Sequence, residues 1–210
     1  MKRGIILTVV VIICALSFSA PPARATSITI EITAEVDSVY DPSGYLEGNI
    51  SAGDIITGTY TYESSTADSS PLDPTQGNYW HYDPPAGISL SVGGFDFQTD
   101  PAGVEFCVAI TNNDLSGQDF YLIYSQNNLP LSNGTLVESI WWQLNDNTGS
   151  ALSSDALPTT VPILDQWQDN LLLLETTRTF KIWAHVTSAI PEPATILLLA
   201  VGALLLRKRN

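Results

Sequence analysis

Two histidines, His81 and His185, one cysteine outside the N-terminal apolar run, Cys107, and a surplus of carboxylates are the groups whose types could do chemistry. Nucleophilic catalysis requires a base within reach of the nucleophile and a third group orienting that base. No serine lies in a Gly-x-Ser-x-Gly elbow. Cys107 alternates with apolar residues in GVEFCVAIT and reads as a small side chain of a strand. The histidines sit in NYWHYD and KIWAHVT with no metal-ligand spacing, so no zinc site is expected. The chain therefore reads as a non-enzyme. A pair of carboxylates at a suitable separation would serve glycoside hydrolysis, but the sequence singles out no pair. A secreted glycan hydrolase is kept as the lesser alternative.

Oxygen ligands and aromatic rings are the remaining candidates. NNDLSGQD (112–119) and NDNTGSALSSD (145–155) cluster Asp and Asn around a glycine, as calcium loops do, yet neither matches D-x-[DN]-x-[DN]-G. Asp114 and Asp119 are the calcium candidates; both loops are also ordinary turn compositions. No other cofactor is expected. Trp80 and Tyr82 lie in NYWHYD, Trp141 and Trp142 in SIWWQL. Strand alternation sends Trp141 and Trp142 to opposite faces, leaving one of them to face outward. Exposed rings stack on sugars; the competing reading is plain core and edge packing.

The elements that must position these groups are strands. SITIEITAEVDSV alternates apolar with polar residues, and DIITGTYTYE, GVEFCVAIT, FYLIYS, TLVESIWWQL and TFKIWAHVT continue the pattern. GISLSV and FDFQ flank Gly93-Gly94, a hairpin signal. Nine or ten short strands separated by Gly, Pro, Asn and Asp predict an all-β body, an antiparallel β-sandwich or jelly roll. Around 165–174 the sequence is ambiguous between a short helix and a strand at 171–174; Asp165 and Asp169 suit a helix start, so a turn of helix is expected. ESSTADSSPLDPTQGN is a loop long enough to be functional or mobile.

Charge narrows the partners. Residues 26–189 carry 21 Asp and Glu against Arg178 and Lys181, a net −19. So negative a surface repels nucleic acid and other polyanions. With Cys107 the body's lone cysteine, no intramolecular disulfide is available to it.

The ends carry the clearest signals. Lys2 and Arg3, an apolar run over 5–18 and Ala23-Arg24-Ala25 predict a secretion signal with its peptidase site at Ala23 and Ala25. The expected division is a signal helix over 1–25, a body over 26–189, and a tail over 190–210. The tail joins Pro191, Glu192 and Pro193 to a short apolar run ending in Arg207, Lys208 and Arg209. Those basic residues predict a single-pass hydrophobic helix with a cytoplasmic C-terminus.

The tail resembles the PEP-CTERM sorting signal of exopolysaccharide-producing Gram-negative bacteria, on Ile190-Pro191-Glu192-Pro193-Ala194-Thr195, the apolar run and the Arg-Lys-Arg end. Gly58, Tyr60, Tyr62, Glu63 and Ser65 also fit loosely a strand common near the start of such proteins' bodies. The resemblance implies export through the Sec machinery and signal peptidase, an inner-membrane-anchored precursor, and processing by an exosortase-like transpeptidase. It further implies delivery to the cell surface or extracellular matrix. The expected role is structural or adhesive, with carbohydrate binding to the cell's own polysaccharide as the alternative.

Overall fold

Alternating residues form the strands here because each strand has one face to bury. The computed structural model describes residues 26–176 and 179–192. In chain order these form β1 (Ser27–Tyr40), β2 (Ile55–Glu63), β3 (Gln76–His81), β4 (Gly87–Val92), β5 (Phe95–Gln98), β6 (Phe106–Thr111), β7 (Asp119–Ser125), β8 (Ser139–Asp146), β9 (Asp169–Glu175) and β10 (Lys181–Pro191). All ten pair antiparallel in one sheet, in the order β3-β6-β7-β8-β9-β10-β1-β2-β4-β5.

The all-β antiparallel class is as expected, but in place of two separately bonded sheets a single sheet curls on itself. The join is the pairing of first and last strands, from Ile30↔Pro191 to Tyr40↔Lys181. Register shifts at Thr33/Ala34 and Val36/Ser38 bend that long ladder, and such bulges raise local twist. Curling carries β2 over β7, where the Tyr60 and Tyr121 hydroxyls meet at 3.1 Å. It also brings Thr99, just after β5, onto Ser125 at the end of β7, Oγ1 to Oγ 2.7 Å. Between the two arms lies one core, including Ile30, Ile56, Tyr60, Leu90, Trp142 and Phe180. Each such side chain contributes about 1.5–3 kcal/mol by leaving water.

Local chemistry explains two details. Gly93 and Gly94 have φ of 59° and 82°, the paired positive values of a type I′ turn, and Val92↔Phe95 closes the predicted hairpin. Gly58 is needed for another reason: a Cβ there would stand 2.0 Å from the Ser89 carbonyl oxygen.

One expectation needs correction. The turn of helix at 165–174 is instead a 3-10 turn at Leu164–Gln166 followed by β9. β9 fills the slot between β8 and β10 with Leu172 and Leu174 inward, and pairing on both sides outweighs the helix-start signal. The last strand, β10, runs through Ile190 into Pro191. The Glu192 N–H donates to Thr29 O at 3.1 Å, so the Pro191 nitrogen faces the opposite side. β9 has already ended there, at the Leu172↔Ala184 pair, and a strand tolerates proline on an open side. The signal helix with Ala23 and Ala25, and the tail from Pro193 through Arg207, Lys208 and Arg209, lie outside the described residues.

Candidate functional site

The strands sort the candidate rings by parity. In β8, Ile140, Trp142 and Leu144 point inward and are fully buried. Trp142 packs edge-on against Tyr60 and Tyr121, with ring centres 6.1 and 5.9 Å away, and its Nε1–H donates to Asn170 Oδ1 at 2.9 Å. This removes Trp142 from the sugar-stacking candidates. Trp141, one residue earlier, is on the outer face and half-buried. Trp80 and Tyr82 are outward too, their rings nearly parallel at 11° and 6.3 Å apart, Tyr82 well exposed and Trp80 half-buried.

Register then lines up rings that are far apart in sequence. Trp80 on β3 lies opposite Cys107 on β6, and Cys107 opposite Tyr124 on β7. Tyr124 faces Trp141 on β8, Trp141 faces Leu173 on β9, and Leu173 faces Trp183 on β10. One cross-strand row thus runs over six neighbouring strands, about 24 Å at the usual strand spacing. Its four aromatic members are all half-buried. Directly opposed partners bring their Cβ atoms to within about 5.5 Å of each other. Tyr124 and Trp183 were not among the sequence candidates. Alternation with Ile182 and Ala184 put Trp183 outward, FYLIYS is apolar on both parities and did not sort Tyr124, and only the register places both in the row.

A polar hollow adjoins the row. Gln143, two residues beyond Trp141, joins Asn145, Asp169, Asn170 and Leu171 around a shallow space of about 370 Å³. Asn145 Nδ2 donates to Asp169 Oδ2 at 3.0 Å and to Asn147 Oδ1 at 3.3 Å. Its Oδ1 is buried with no hydrogen-bond donor among the described residues.

The titratable groups do other work. Cys107 is buried, and loss of water pushes its thiol up to about 11, which keeps it protonated and a poor nucleophile. His81 is buried against Phe106 and Tyr62, and burial pushes its pKa down to about 4. Its Nδ1 shares a hydrogen bond with Thr66 Oγ1 at 3.1 Å. His185 pairs with Asp37 at the surface, Nδ1 to Oδ1 2.8 Å.

Asp119 and Asp146 oppose each other at the end of the β7–β8 ladder and are both buried. The N–H groups of Asn113 and Leu152 each donate to Asp119 at 2.8 Å. Asp146 accepts from the Thr148 hydroxyl and N–H, from Ser150 and Ala151 N–H, and from Gln168 Nε2. The Thr148 hydroxyl leads in holding Asp146 well below the usual carboxylate range, with the backbone N–H groups adding to it. A glycosidase's acid needs the opposite, a raised pKa. Asp114 Oδ1 accepts from Ser116 and Gln118 N–H at 2.7 and 2.9 Å. Asp114 and Asp119 thus hold their turns by offering lone pairs to N–H donors. Among the described residues no three or more His, Cys, Asp or Glu gather as a metal site.

The long loop after β2 is likewise stapled: Asp68 Oδ1 accepts from Ser70 and Asn78 N–H, both at 2.8 Å. What the molecule presents outward as organised chemistry is the aromatic row and its hollow. No protein-family model matches the chain, nor does any curated protein or solved structure.

Proposed function

We propose that this protein is an exported, surface-sorted, non-enzymatic module with a structural or adhesive role, and that it binds through the outer face of the β3–β6–β10 arm. The single observation supporting this reading is the Trp80–Tyr124–Trp141–Trp183 row. Large rings left half in water cost burial energy that a core position would recover, and residues of this type dominate binding surfaces.

Export and sorting rest on the sequence: the secretion signal with Ala23 and Ala25, the Pro191-Glu192-Pro193 motif, the apolar tail and its Arg-Lys-Arg end. The PEP-CTERM resemblance makes an exosortase-like transpeptidase the processing partner and the inner membrane the intermediate stop. Pro191 closes the last strand and the Glu192 N–H is bonded to β1, so the first two residues of the motif lie at a strand end, and extended backbone is the form a peptidase cleft accepts.

The test has two parts. Intact mass of the protein recovered from the surface of an expressing cell should give a chain from near Thr26 to near Pro191; a chain still ending at Asn210 contradicts sorting. Retention of the exported protein on extracellular matrix should fall in a Trp141→Ala/Trp183→Ala variant that melts like wild type. Unchanged retention contradicts binding through this face.

A further inference from the structure

The occupant of the outer face can be named by chemistry. Starting from the binding reading above, we infer that the row and its adjoining hollow take a neutral, hydroxyl-rich polysaccharide chain, laid across the strands from Trp80 to Trp183. Three independent features converge on that ligand.

Spacing is the first. Trp80 and Tyr124 are two strands apart, and so are Trp141 and Trp183. Each step is about 10 Å at the usual strand separation, comparable to the disaccharide repeat of an extended pyranose chain. Between the rings of each pair lies a non-aromatic residue, Cys107 or Leu173, both buried. A chain crossing the strands therefore meets a ring, a gap and a ring, twice.

Polarity is the second. Gln143, Asn145 and Asp169 line the hollow beside Trp141. The Gln143 side-chain amide both donates and accepts, which matches the hydroxyls of a polyol. The Asp169 carboxylate accepts and never donates when ionised, so hydroxyls suit it as well.

Charge is the third, and it decides among occupants. A body of net −19 repels nucleic acids and anionic polysaccharides. It equally opposes a second copy of this chain, which would bring another body of net −19 against this one. A neutral polyol suffers no such repulsion, and stacking on rings does not depend on its charge.

The experiment is a titration of the exported protein with neutral glucans, mannans, xylans and galactans of several lengths, followed by tryptophan fluorescence and calorimetry. Alginate and hyaluronan serve as polyanionic controls. The expected result is saturable binding of at least one neutral glycan, tightening with chain length and unchanged between low and high salt. Trp141→Ala and Trp183→Ala should each weaken it about thirtyfold, the scale of a central aromatic anchor. Tyr45→Phe, in the exposed loop between β1 and β2, should leave it unchanged.

Absence of binding to every neutral glycan overturns the inference. So does equal affinity in the alanine variants, or binding confined to the polyanions. A wild-type protein that sediments as a dimer and dissociates in the Trp183→Ala variant overturns it in favour of self-association. The broader reading fails separately. Matrix retention lost in the double variant with no glycan bound keeps the face and discards the sugar; retention unchanged discards both.

Discussion

At the scale of single residues, the interior is polar in two places that predict measurable behaviour. The Tyr60 and Tyr121 hydroxyls bond to each other deep in the core, both residues almost wholly buried. Tyr60→Phe alone leaves the Tyr121 hydroxyl without its partner and should cost about 1–2 kcal/mol. Tyr60→Phe/Tyr121→Phe removes both hydroxyls and should cost no more than either single change, a non-additivity that urea denaturation can read. His81 gives a pH signature. Its folded pKa is about 4, from burial, against about 6.5 in an unfolded chain. The unfolded state thus binds more protons between those values, so stability is full above about 6.5 and declines as pH falls toward 4. His81→Phe keeps a ring against Tyr62 and Phe106 while removing the titration. The drop in unfolding free energy from pH 7.5 to 4.5 should shrink by about 2 kcal/mol. Below the ordinary carboxylate range Asp146 adds a second loss, because its folded pKa is lowered by the Thr148 hydroxyl and the surrounding N–H groups.

At the scale of elements, alternation in the sequence was enough to find most strands, since each buries one parity of side chains. It also sent Trp141 and Trp142 to opposite faces. Partners were not legible. Nothing local says that β9 enters between β8 and β10, so helix-start residues at 165 and 169 misled where pairing decided. Likewise Tyr124 and Trp183 join Trp80 and Trp141 only through five registers set by the whole sheet. The Gly58 of the tyrosine-rich β2 motif has its reason in the pairing with β4: the Ser89–Leu90 backbone passes so close that no Cβ fits. Gly58→Ala should destabilise by at least about 3 kcal/mol, read as a large fall in melting temperature or loss of folded protein. A melt within a few degrees of wild type would show that β2 and β4 can separate cheaply.

For the whole molecule, the balance of signs is the dominant fact. With Arg178 and Lys181 against 21 acids, and the Lys181–Glu175 contact at 2.6 Å using one of those cations, the fold carries unrelieved self-repulsion. Salt shortens the range of that repulsion, so the denaturation midpoint should rise from 10 mM to 0.5 M sodium chloride. A fall would mean that specific ion pairs outweigh the net charge. The same sign imbalance opposes contact between copies, and under the proposal above it favours a neutral surface as the partner of the aromatic face.

The most direct test of that face is oxidative footprinting of the protein in place on the cell surface, with the purified exported protein as reference. Binding through the outer arm predicts that Trp80, Trp141 and Trp183 react more slowly on cells than in solution. Tyr45, exposed in the loop between β1 and β2, should react alike in both. Equal reactivity of the three tryptophans in the two settings would contradict the account, because a face that stays fully open where the protein works is not its binding surface.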